Sequence, residues 1–414
     1  RVIMRVVGSL ATKFAPPFSL ILHYFVPASL LQLLFPIFLF INKKNILLDF
    51  SILENGALTH LYLLGFIMMV IFGALYQLIP VALEIPVFSF KLGYLQAYLY
   101  VIGSLSFITS MFFHSLFLFL SFFAGILFSS FLIFAFNFFM SLKNIEKFDI
   151  TSIFIITGTV FLIFGTFFGL LIALNFSFGI GLDINKLLFI HAVMVVFGFV
   201  FSIIFGVGLV LLPMFSVSHN FNYIYSKVSY FLLTSGVFGF SISKIFSPFF
   251  SALFFIVITI SILIYLMQVY EIYKHKPKKK SDFALNGMFL SFLFIPMGFL
   301  GLFHSIQLFA VILFLGFLGL LVYSSLYKIV PFLTWFHRFS SLVGKVPVPT
   351  LNQMLPKNLP TIHLIVHSFS VVVISLGIIL KQDLVISLGT FLLFVGSILF
   401  LYSFIYIVSY RIKE

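Results

Sequence analysis

The chain of 414 residues contains no cysteine, one tryptophan and only ten acidic residues. The absence of cysteine excludes disulfides, a thiolate ligand to haem and cysteine-held iron–sulfur clusters. Charged residues make up 8% of the chain, whereas a soluble domain is about a quarter charged. The longest polar stretch runs roughly from Phe336 to Pro360, which is too short for a separate soluble domain.

The few carboxylates all lie in loops or near the ends of the apolar segments. A proton- or sodium-coupled transporter usually needs an ionisable side chain at membrane depth, so this distribution disfavours that class. The sequence also lacks a glycine-rich phosphate loop and the HExxH and GxSxG motifs. The sequence therefore lacks the usual motifs of nucleotide-binding proteins, zinc peptidases and serine hydrolases.

What the sequence has in abundance is apolar bulk, with 62% hydrophobic residues and 64 phenylalanines. A membrane-spanning helix needs about 20 apolar residues. This length predicts twelve spans in an all-α integral membrane protein, in which residues 1–414 form a single polytopic domain. The spans are predicted at about 16–41, 56–83, 89–111, 115–142, 151–178, 185–215, 227–246, 248–274, 281–303, 306–333, 361–381 and 384–409.

The basic residues predict the orientation of these spans. With the N-terminus inside, 18 of the 23 lysines and arginines fall on the inner side, and positive residues favour the cytoplasmic side. We therefore expect both ends in the cytoplasm and a location in a bacterial or archaeal cytoplasmic (inner) membrane. The net charge of +13 then reflects topology and attraction to anionic lipid rather than nucleic-acid binding.

Three spans share one pattern, in which a glycine lies fifteen residues before a proline and a small residue lies seven before it. The prolines are 133 and 118 residues apart, about four helices each time. This period predicts three arcs of four helices, at about 16–142, 151–274 and 281–409, and each proline is expected to end its helix. The three instances are Gly65/Gly73/Pro80, Gly198/Gly206/Pro213 and Gly316/Ser324/Pro331.

Two of these spans carry a histidine near the helix start. His60 lies about five residues into the second span and His191 about six into the sixth, which places both in the outer third of the bilayer. An imidazole at membrane depth needs a hydrogen bond, a metal or a haem iron as a partner. Ligation of haem iron or another metal is the favoured interpretation, and an interfacial structural role is the alternative.

Three further histidines are candidate cofactor-binding residues. His363 and His367 are four residues apart on the eleventh span, so they share one helix face near the cytoplasmic side. Their spacing suits a second haem, a quinone, a metal or a structural role. His304, at the outer end of the tenth span, is a candidate partner ligand to His60, although it precedes its glycine by twelve residues where His60 precedes its own by five.

The phrases THLYLLGFIMMVIFGALYQLIP and IHAVMVVFGFVFSIIFGVGLVLLPMF, with twelve spans in three arcs, resemble subunit I of the haem–copper oxidase and nitric oxide reductase superfamily. The segment LYKIVPFLTWFHRF, followed by VPTLNQMLP, resembles a group of bacterial membrane proteins related to that superfamily. The resemblance implies that His60 binds a low-spin haem and that His191 is a ligand of the active-site metal.

The sequence departs from that family where its copper site should be. The seventh span has no histidine pair, and the tenth has at most His304. We therefore expect b-type haem without a complete copper site, acting in electron transfer or in binding nitric oxide or oxygen. The electron donor would be a quinol or cytochrome c, and other membrane subunits are further candidate partners. The alternatives are a cofactor-free permease or assembly subunit on the same fold, and a quinone-binding subunit.

Overall fold

The computed structural model describes residues 14–47, 52–277 and 282–411, and they contain twelve helices long and apolar enough to cross a membrane. This confirms the predicted all-helical membrane class and the number of spans, and no strand occurs in these three ranges. Lys278, Lys279 and Lys280, three of the basic residues of the chain, lie outside them. The helices are α1 (Phe18–Ile41), α2 (Leu53–Ala82), α3 (Phe90–Phe112), α4 (Ser115–Asn144), α5 (Ile150–Phe178), α6 (Ile184–Ser216), α7 (Ile224–Phe246), α8 (Pro248–Lys274), α9 (Phe283–Gly301), α10 (Ile306–Leu342), α11 (Leu359–Leu380) and α12 (Asp383–Val408).

Aspartates begin several of these helices. Asp149, Asp183 and Asp282 each accept a hydrogen bond from a backbone N–H in the first turn of α5, α6 and α9, at 2.8, 3.2 and 3.0 Å. A carboxylate at this position satisfies an otherwise unpaired donor and complements the positive end of the helix. These three carboxylates therefore have a structural role at helix ends, where the sequence placed them.

The prolines of the repeated pattern lie inside their helices. The helix continues two residues past Pro80, to Ala82, and three past Pro213, to Ser216. It continues eight residues past Pro331, to Phe339, so the expectation that this proline ends its helix is wrong. Proline removes one N–H donor and crowds the preceding turn, but neighbouring groups in a membrane helix can compensate for the lost bond.

Within α2, α6 and α10 the backbone changes to a π-helix for one to two turns. The π segments contain the first glycine of each repeated pattern, and each ends twelve residues before the proline of that pattern. Such segments are rare and often occur at functional sites. They are Leu63–Met68, Met194–Phe201 and Val311–Gly319.

The chain divides into two compact units. The described residues of Arg1–Tyr24 and Ile71–Lys279 form unit 1, and those of Phe25–Val70 and Lys280–Glu414 form unit 2. In unit 1 the ring of Phe72 packs against Phe134 and Phe199, with centroids 4.8 and 5.9 Å away. Buried aromatic rings thus form the core of this unit, as the phenylalanine content of the chain indicates.

Candidate functional site

His191 is held in unit 1 by two glycines of the neighbouring helix α5. Its Nδ1 lies 2.8 Å from the backbone oxygen of Gly165, and a Cβ atom on Gly169 would lie 2.8 Å from the Cε1 of the ring. A carbonyl oxygen only accepts, so Nδ1 carries the proton and the lone pair is on Nε2. The orientation and the tautomer of this imidazole are therefore both fixed by α5.

His60 has the same tautomer in unit 2. Its Nδ1 donates to the backbone oxygen of Gly56, one turn earlier in α2, at 2.7 Å, so its lone pair is also on Nε2. His60 and His191 are both half-buried. Each lies three residues before the first residue of a π segment, at Leu63 and Met194. The two histidines therefore have the same position relative to their π segments, although their distances to the prolines differ.

His363 and His367 are fully buried in unit 2, with exposed fractions of 0% and 1% and ring centroids 6.1 Å apart. The structure thus brings this predicted pair together on one face of α11. The Nε2–H of His367 donates to the backbone oxygen of Leu315, in the π segment of α10, at 2.9 Å. This nitrogen is therefore committed to α10 and leaves only Nδ1 with a lone pair.

His363 pairs with a tyrosine instead. Its Nδ1 lies 3.0 Å from the Oη of Tyr327 on α10, and either atom can be the donor. Its Nε2 is buried and has no hydrogen-bond partner among the described residues. A polar atom in this condition costs free energy unless a ligand or water satisfies it.

Tyr323 stands between the two histidines as the centre of a buried cluster. Its ring contacts His363 and His367 edge-on, with centroids 4.6 and 4.9 Å away. Its hydroxyl donates to Oε1 of Gln32 on α1 at 2.9 Å, and Phe400 of α12 packs on its ring at 4.8 Å. The histidine pair is thus enclosed by rings, and a porphyrin between these groups would require them to move.

Tyr62 of α2 adds a second unpartnered group to this cluster. Its hydroxyl is buried and has no hydrogen-bond partner among the described residues. A Cβ atom on Gly319 would overlap this hydroxyl and would lie 3.0 Å from Nε2 of His367. The phenol and the imidazole therefore meet at one glycine, the last residue of the π segment of α10.

His304 is in a different environment. It is exposed in the turn between α9 and α10, where its backbone N–H donates to the oxygen of Gly301 at 2.9 Å. This placement lacks the buried surroundings that a haem ligand usually has. His304 as a partner of His60 stays a prediction from the sequence alone.

The candidate histidines belong to no larger cluster of metal-ligating side chains in the part of the chain that the structure describes. No group of three or more His, Cys, Asp or Glu side chains close enough to bind a metal ion occurs among residues 14–47, 52–277 and 282–411. A single axial imidazole on haem iron needs no such group. The tautomers of His60 and His191 leave on Nε2 the lone pair that such a ligand uses, whereas the packed rings of the pair on α11 would have to move to admit a porphyrin.

Sequence reasoning missed the polar residues around the histidine pair. Gln32 and Tyr323 lie in apolar runs outside the quoted phrases. Tyr62 and Tyr327 lie inside two of those phrases, which do not mark them as partners of the histidines. The available signal was that a buried tyrosine usually finds a partner for its hydroxyl, and that Tyr323 and Tyr327 are four residues apart on one helix face.

No protein-family model matches this chain, and no curated protein matches it at a significant level. The fold and the geometry of the histidines are therefore the guides to function.

Proposed function

We propose that the protein is a membrane haem protein of haem–copper-oxidase-like architecture, with three arcs of four helices and both ends in the cytoplasm. It binds b-type haem through His60 and His191, and acts in electron transfer or in binding a small gas. The common position of the π segments, each ending twelve residues before its proline, supports the threefold arrangement.

The observation that carries the haem assignment is the fixed imidazole of His191. A metal-ligating histidine almost always donates its other N–H to a carbonyl or carboxylate, which orients the ring and raises its basicity. The bond from Nδ1 to the oxygen of Gly165, at 2.8 Å, has this form and comes from a different helix. The corresponding bond of His60 comes from its own helix, so it supports the same role less specifically.

A bound haem would supply a redox-active iron that can also bind a diatomic gas. The chain's own contribution would be the Nε2 lone pair of each imidazole, its fixed direction and an apolar surrounding that excludes water. A copper site needs several more nitrogen ligands, and α7 carries no histidine, so copper is not part of the proposal.

A second candidate function, quinone binding, is favoured by the unpartnered Nε2 of His363. An N–H at this atom, with Tyr327 bonded to the other ring nitrogen at 3.0 Å, could donate to a quinone carbonyl in a buried apolar site. One purified preparation distinguishes the two candidates. Haem bands favour the first, whereas a flat spectrum with quinone in the solvent extract favours the second.

The haem assignment predicts the behaviour of single histidine variants. We expect His60→Ala and His191→Ala each to lower the haem bound per chain by about half or more, because each removes one iron ligand. His219→Ala is the matched control, since His219 is exposed outside the helices. Bound haem is measured by a pyridine haemochrome assay, with the melting temperature as a check on folding. Unchanged haem in His60→Ala would show that the central assignment is wrong.

A further inference from the structure

A groove of about 570 Å³ lies in unit 2, between the first half of α1 and the last turns of α12. Val26 and Leu30 line it from α1, and Leu401, Ile405 and Val408 line it from α12. Val26, Leu30 and Ile405 are 40%, 50% and 56% exposed. The groove is therefore open and is lined mainly by apolar side chains.

Two arginines line one end of this groove. Arg338, in the last turns of α10, and Arg411, just after α12, both line the groove and are exposed. Arg338 donates to the backbone oxygen of Tyr410 at 3.2 Å. Within the described ranges neither arginine forms an ion pair with a carboxylate. This end of the groove therefore carries two positive charges that no acidic side chain among these residues balances.

The order of the helices places these charges at a membrane surface. In a chain of twelve consecutive spans, the start of α1 and the ends of α10 and α12 all lie on the same side. From Leu401 to Val408 the floor of the groove extends about 10 Å along α12. The arginines are thus at headgroup level, and the apolar part of the groove extends from them towards the hydrocarbon core.

We propose that this groove is a binding site for an anionic glycerophospholipid. The phosphate would bind to Arg338 and Arg411 by charge-assisted hydrogen bonds, and an acyl chain would lie over Leu401 and Ile405. A second copy of the chain is a poorer occupant, because a symmetric dimer on this groove would bring four guanidinium groups together. The proposal is independent of haem binding.

The test is a titration of the purified full chain in detergent with phosphatidylglycerol, followed by native mass spectrometry. Phosphatidylcholine of the same acyl chains and sodium phosphate are the comparison ligands. We expect phosphatidylglycerol to bind more tightly than phosphatidylcholine. We expect about fivefold weaker binding for Arg338→Gln or Arg411→Gln and about thirtyfold weaker binding for both, since a basic residue near a charged lipid surface contributes about 1 kcal/mol.

The matched control is the double variant Lys345→Gln/Lys357→Gln. Both lysines are exposed between α10 and α11, so the control removes the same charge from the same side without changing the groove. Ile405→Trp fills the groove without changing its charge and should also weaken lipid binding. Equal loss in the lysine control, or equal affinity for the two lipids, would overturn the proposal. Competition by phosphate alone would instead indicate a site for a free anion and would equally contradict it.

Discussion

Among the five candidate histidines, three have their protonation fixed by backbone carbonyl oxygens. In His60 and His191 the protonated atom is Nδ1, and in His367 it is Nε2. Because a ring nitrogen binds iron through its lone pair, the first two can offer Nε2, whereas His367 can offer only Nδ1. The Nε2–H of His367 instead links α11 to the π segment of α10.

At the same scale, the bond between Tyr327 and His363 can be tested by a double-mutant cycle. Tyr327→Phe leaves a second nitrogen of the buried imidazole without a protein partner, so we expect a loss of stability. Interhelical hydrogen bonds in membranes have coupling energies that average about 0.6 kcal/mol and reach about 1.7, and we expect a value in that range with His363→Leu as the second variant. The free energy of unfolding in a denaturing detergent provides the measurement. Fully additive effects of the two changes would show that the bond contributes nothing.

The positions of these histidines could be predicted from the sequence, but their partners could not. The spacing of His363 and His367 was enough to place them on one face of α11, as the structure confirms. Which atom each ring bonds depends on a helix 36 to 52 residues away in sequence. No local pattern encodes such a contact, and Tyr323 and Gln32 were missed for the same reason.

At the scale of helices, the π segments are the main departure from regular structure. Each inserts a wider turn in a helix that the sequence shows only as an apolar run. Periodicity cannot reveal the change, because almost every side chain in these segments is buried and apolar on all faces. The twelve spans themselves were predictable from length and hydropathy. The extension of α10 past Pro331 was not, because neighbouring groups in a membrane protein can compensate for the hydrogen bond that proline removes, and a local sequence does not reveal them.

The packing at the end of the α10 π segment predicts the effect of a single methyl group. Gly319→Ala would place a Cβ atom in contact with the hydroxyl of Tyr62 and with His367. We expect it to lower the free energy of unfolding by about 1–3 kcal/mol, which is typical of overpacking. Gly125→Ala in α4 is the control, because a Cβ there meets nothing within 4 Å. Thermal unfolding of the two variants measures the difference. Equal melting temperatures for both would contradict the packing described at Gly319.

At the scale of the whole molecule, the proposed orientation depends on the charge of the loops. The absence of cysteine makes a direct test simple, since every introduced cysteine is the only one in the chain. We expect an impermeant maleimide to label Lys186→Cys and Lys381→Cys in intact cells, and to label Lys147→Cys and Lys345→Cys only after permeabilisation. All four lysines are exposed. The reverse pattern would place both ends outside and would contradict the orientation drawn from the basic residues.

An optical spectrum is the first measurement to make on the proposed binding of b-type haem. The measurement is a dithionite-reduced minus oxidised spectrum of the full chain, purified after expression with supplied haem. We expect sharp reduced bands, at a near-integer ratio of haem to protein, and weaker bands in His60→Ala and His191→Ala. A flat spectrum from folded, monodisperse protein would contradict it, and would favour a quinone-binding or cofactor-free protein on the same twelve helices.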